Sequence, residues 1–98
     1  MRVVRYHEAA ELELLSEIEY LELRREGLGR RFFSEILRAE QFISQYPEAG
    51  SQILPGIRKH LLRKFRYSLV YSVEQETLLI LAVAHHRRRP GYWFRRIQ

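Results

Sequence analysis

Two helical patterns joined by only three residues constrain this chain most. From Glu8 onward the sequence is rich in Glu, Leu and Ala, with neither Pro nor Gly before Gly27, and such a composition favours helix. Leu14, Ile18 and Leu21 recur at helical spacing, and Leu12, Leu15 and Leu23 widen the stripe. A stripe that broad predicts burial against more than one element. After Gly27-Leu28-Gly29 a second pattern runs to about Tyr46, with Phe32, Ile36, Ala39 and Ile43 on one face and Phe33 and Leu37 beside it. Pro47 ends it, because proline lacks an amide donor and crowds the residue before it. A link this short predicts an antiparallel helical hairpin.

The hairpin needs a partner layer, and the rest of the chain reads as strand. Val3, Val4 and Tyr6 mark a short strand ahead of the helices. Residues 47–56 read as a loop closed by the Pro55-Gly56 turn signal, and 57–63 as the next strand. Leu69, Tyr71 and Val73 alternate with Ser68, Val70 and Ser72, the pattern of a strand with one buried and one partly open face. Glu74-Gln75-Glu76 is a polar turn, and the apolar run Leu78–Ala84 reads as the central strand, buried on both sides. Three consecutive strands at this spacing predict an antiparallel meander. The expectation is therefore an α+β fold in the order β-α-α-β-β-β, one domain over residues 1–98.

No cysteine is present, so no disulfide supports the core. Residues 1–13 hold no continuous apolar stretch followed by small residues, and Leu78–Ala84 is far too short to span a bilayer. A cytoplasmic protein with no membrane partner is the expectation. Charge is sharply polarised. Residues 1–50 carry seven arginines against ten glutamates, and residues 51–98 carry ten lysines and arginines against two glutamates. Two surfaces with different partners follow, the basic one facing nucleic acid, a nucleoprotein or an acidic protein segment.

The segment His85–Arg96 is the most unusual part of the chain. Arg87, Arg88 and Arg89 suit a functional surface, since arginine forks pair bidentately with phosphate. Tyr92, Trp93 and Phe94 either stack on bases or fold back onto the sheet. A second basic group includes Arg58, Lys59, Arg63, Lys64 and Arg66. Strand alternation places Arg58 and His60 on one face and Lys59, Leu61 and Arg63 on the other, so only one set joins the tail in a single patch. Target binding is accordingly expected of Arg58, Arg63, Arg66, Arg87, Arg88, Arg89, Tyr92 and Trp93. Metal-independent RNA cleavage would need a base, an acid and cations for the phosphate. The candidates for that chemistry are Arg63, His85, His86 and Arg87. The four histidines show no ligand spacing, and neither a metal nor a cofactor is expected.

Pro47–Gly50, Ile57–Tyr71 and Ile80–Trp93, together with the opening Tyr6–Leu12, resemble the RelE/ParE toxin superfamily, in the right order over nearly the whole chain. The resemblance implies a helical hairpin on an antiparallel sheet. It also implies a cognate antitoxin protein whose C-terminal segment wraps the toxin and orders as it binds. RelE-like members cleave mRNA on the ribosome, whereas ParE-like members inhibit DNA gyrase. The long helices and the ending His-x-Arg-Arg-x-Pro-x-x-Trp, here His85 to Trp93, are similar to the ParE-like branch. The expected function is a gyrase-inhibiting toxin. The alternatives are a ribosome-dependent endoribonuclease and a harmless antitoxin-binding relative.

Overall fold

The computed structural model describes residues 2–97. Strand β1 (Val3–Tyr6) leads into helices α1 (Glu8–Arg24) and α2 (Leu28–Gln45). Strands β2 (Ser51–Leu54), β3 (Ile57–Leu61), β4 (Tyr67–Glu74) and β5 (Thr77–His85) follow, then a short 3₁₀ turn over Phe94–Ile97. The five strands form one sheet in the order β1-β5-β4-β3-β2, with β1 parallel to β5 and every other pair antiparallel.

The expected α+β architecture is present, and the meander has one strand more than the sequence suggested. Ser51–Leu54 lies inside the segment read as loop, yet it pairs with β3 through Ser51 with Lys59 and Leu54 with Ile57. Pro55 and Gly56 fill the tight turn, where Gly56 has φ +76°. Proline followed by a left-handed glycine is a type II signature, and here it closes a hairpin.

The helices pack on one face of the sheet as the hairpin predicts. Glu22 of α1 accepts hydrogen bonds from the Gly27 and Gly29 amides, so the first helix caps the start of the second. At Gly29 the helices touch so closely that a Cβ would sit 2.4 Å from the Ile18 carbonyl oxygen, which only glycine permits. The main core lies between hairpin and sheet, with Leu14, Phe32, Ile36, Ile43, Leu69 and Ile80 among its buried members. Phe32 is fully buried, its ring 5.2 Å from Phe65 and 4.8 Å from Tyr67.

A smaller core occupies the opposite face, built from Ile57, Val70, Leu81, Ala82 and Trp93. Its geometry depends on a bulge in β5. Val70 pairs with Ala82 and Tyr71 with Ile80, which leaves Leu81 unpaired and re-aims the strand. β5 is thus covered on both faces, as its continuous apolar run implied.

Candidate functional site

The chain after β5 turns back on itself. Successive amide-to-carbonyl bonds from Arg88 to His85, Tyr92 to Arg89 and Phe94 to Gly91 fold residues 86–94 over the open sheet face. Trp93 is thereby only 6 % exposed, packed into the smaller core. Of the sequence's two options for this ring, packing against the sheet is the one adopted.

Glu13 of α1 anchors the fold-back. β1 pairs with β5 only as far as Ile80, so the outer edge of β5 beyond that point lacks a strand. Glu13 accepts the Val83 amide there at 3.0 Å. Its carboxylate also accepts the Tyr92 hydroxyl at 2.8 Å and the Arg96 guanidinium at 2.8 and 3.0 Å. Arg96 donates in addition to the carbonyl oxygen of Leu81, the bulged residue, at 2.9 Å. Burial pushes the Glu13 pKa up, but Arg96, Val83 and Tyr92 together hold it below the ordinary carboxylate value. Burial and the adjacent Glu13 carboxylate raise the Tyr92 pKa.

This fold-back shapes a groove of about 470 Å³ on the open face. Ile53, Leu54, Leu61, Val70 and Trp93 give it an apolar lining, and Lys59, Arg88 and Arg89 add positive charge. The Arg88 guanidinium lies 3.8 Å from the Tyr92 ring centroid, a cation–π contact that fixes its direction. His86 also lines the groove and bonds through Nε2 to the hydroxyl of Ser68, which is only 1 % exposed.

The remaining basic residues do not join this groove. Arg66 and Arg87 line a separate cleft, with His85, where the α1–α2 tip meets the β3–β4 connection. His85 also lines the open-face groove, so it stands between the two. Arg63 departs from the alternation expected of it. β3 ends at Leu61, and Arg63 lines a third hollow between α2 and β3 with Glu35, Arg38, Phe42 and His60. Burial there lowers the His60 pKa. Arg58 donates to the Glu48 and Gly50 carbonyl oxygens at 3.2 and 2.7 Å, holding the α2–β2 connection. The eight residues expected to bind a target therefore occupy several surfaces rather than one patch. The four residues weighed for RNA cleavage are only partly brought together: His85 and Arg87 share one cleft, Arg63 lines another hollow and His86 lies on the open face.

The family model described as the ParE toxin of the type II toxin-antitoxin system parDE matches residues 4–90. The chain belongs to the ParE toxin family. A solved structure, the chromosomal ParDE toxin–antitoxin system from P. aeruginosa, superposes with a TM-score of 0.70 at 17 % identity. The superposition covers 87 % of this chain and 96 % of that one, and it shows a shared fold. No curated protein matches at a significant level. The family match stops at Pro90, so the Glu13 anchor of this ParE-family chain draws on Tyr92 and Arg96 from outside it. Glu13 and Arg96 went unremarked in the sequence. They stand 83 positions apart, and nothing distinguishes either from its neighbours of like charge.

Proposed function

We propose that this ParE-family chain is a toxin that arrests growth by inhibiting DNA gyrase and is neutralised by a cognate antitoxin protein. The family match over residues 4–90 carries the proposal. The protein acts by binding rather than by cleavage, in the cytoplasm where its target works. Arg63 and His86 lie away from the cleft that His85 and Arg87 share, so the four candidates do not close around one phosphate, which favours this over a ribosome-dependent nuclease. A metal-free cleavage site needs its base and phosphate clamps around one phosphate.

The open-face groove suits the antitoxin. Its apolar lining and its Lys59, Arg88 and Arg89 cations match a segment that is apolar on one side and acidic on the other. Such a segment would order as it binds.

Pulse-labelling after induction of the toxin alone tests the target. DNA synthesis is expected to fail before protein synthesis, and purified toxin to block gyrase supercoiling. Protein synthesis failing first, with cleaved mRNA, would reject the gyrase reading. A second expectation concerns the tail. Changing Arg87, Arg88 and Arg89 together to glutamine abolishes growth arrest while the far-UV spectrum and melting temperature stay near wild type. Undiminished arrest by that folded variant would remove the tail arginines from the target contact.

A further inference from the structure

The cleft at the α1–α2 tip carries charge that the open-face groove does not explain. Arg24, Lys64, Arg66 and Arg87 line it, together with His85, and no carboxylate does. Among the described residues the only ion pairs are Arg38 with Glu35 and Arg96 with Glu13, so none of these four cations is paired. All four are exposed. Glu17, on α1 beside the cleft wall, accepts the Tyr67 hydroxyl rather than pairing with any of them. Four unpaired cations around one hollow repel each other, and an anion relieves that repulsion.

The walls say which anion. Tyr20, half exposed, stands at the mouth with the Arg24 guanidinium 5.6 Å from its ring centroid and bonded to its hydroxyl. Tyr67 and His85 meet edge to face at 4.9 Å behind it, with Phe65 beside them. Three guanidinium forks grip phosphate oxygens better than a point charge does. An aromatic face next to such forks offers a stacking platform for a base. The hollow, about 420 Å³, has room for a phosphate and an adjoining ring.

We propose that this cleft is a nucleic-acid site that takes the phosphodiester backbone of a single strand, with Arg24, Lys64, Arg66 and Arg87 on phosphate and Tyr20 stacked on a base. The site is separate from the antitoxin groove and does not depend on gyrase being the target.

Fluorescence anisotropy of the full chain with labelled single-stranded DNA and with RNA of the same sequence tests it over a range of salt. Salt-dependent binding is expected for both, and the tighter of the two names the natural strand. Arg66→Gln with Arg87→Gln removes two phosphate contacts, which lowers the slope of log K against log salt by about 1.4. That corresponds to about 25-fold weaker binding at about 0.1 M salt, with parity near 1 M. Tyr20→Ala weakens binding several-fold and leaves the slope unchanged, which charge alone would not do. Arg5→Gln with Arg95→Gln, of equal charge change elsewhere on the surface, shifts affinity less than about twofold. The proposal falls if this control pair weakens binding as much as the cleft pair. It falls equally if a glutamate-rich peptide of matched charge binds as tightly as the strands, or if the wild-type chain binds neither. A wild-type chain that binds no strand yet still inhibits gyrase would sink the cleft proposal alone.

Discussion

Phe32→Asp leaves the chain unfolded at 25 °C. The ring is completely buried between α2 and the sheet, in contact with Phe65 and Tyr67. Truncating a buried phenylalanine costs about 3–5 kcal/mol through lost transfer energy and the cavity left behind. A carboxylate in its place adds several kcal/mol more, because no cation or donor waits there to satisfy it. A chain of 98 residues has a total stability of roughly 5–15 kcal/mol, so the two penalties together consume it. Phe32→Leu keeps an apolar group of nearly the right size, should cost only about 1–2 kcal/mol, and separates loss of charge compatibility from loss of volume. Far-UV circular dichroism and urea titration of the pair decide the matter. A folded Phe32→Asp protein with a near-native urea midpoint would mean that α2 turns a different face inward.

That face was legible because α2 is amphipathic in the simplest way. Phe32, Ile36, Ala39 and Ile43 repeat every three to four residues, and all four are buried. The broad stripe on α1 correctly announced contact with more than one element, but it overstated how many of its leucines are covered. Leu14 and Leu21 face the core, but Leu12, Leu15 and Leu23 are 63, 59 and 83 % exposed. Periodicity finds an apolar stripe, yet it does not say how much of a wide one the neighbouring layer covers. α2, β5 and β1 all pack against α1, yet together they leave its outer leucines uncovered. β2 was missed because Ser51 and Gln52 lack strand propensity and prolines stand on both sides. Its strand character comes from pairing with β3, and the Pro55-Gly56 turn was the one local sign of it. The β1–β5 pairing joins strands more than seventy residues apart in parallel, and no local pattern encodes such a contact.

The basic residues of the candidate site were legible as residue types but not as a place. Composition located positive charge in the second half of the chain, and strand alternation correctly put His60 and Lys59 on opposite faces. Alternation failed at Arg63 because β3 ends before it. It could not foresee that consecutive arginines, Arg87 and Arg88, would enter different hollows once the tail turned. The direction of that turn is set by a carboxylate near the other end of the chain.

Glu13→Ala therefore releases the tail. The substitution strands the Arg96 guanidinium, the Tyr92 hydroxyl and the Val83 amide together. Removing one partner of a buried ion pair costs about 3–5 kcal/mol. The Glu13 and Arg96 side chains keep 15 % exposure each, which argues for the lower end, about 3 kcal/mol. For a domain of this size that lowers the melting temperature by roughly 10–20 °C. Trypsin should then cut after Arg95 and Arg96 under conditions in which the wild-type tail resists. A melting temperature within about 3 °C of wild type, with the tail still protected, would show that Trp93 packing alone holds the segment. Glu13→Gln supplies the electrostatic check. Glu13 has a folded pKa below its ordinary value of 4.5, so its contribution is fully present above that value and disappears as pH falls through the folded pKa. Glu40 works in the opposite sense, since burial raises its pKa even though Tyr6 donates to it. It is unchanged between the two proteins and drops out of the comparison. The gap in urea midpoint between wild type and Glu13→Gln should be widest near neutral pH, should narrow once pH falls below 4.5 and should close below the lowered folded pKa, where a protonated Glu13 resembles glutamine. A gap that stays constant from neutral to acid would show that shape rather than charge holds the tail to α1.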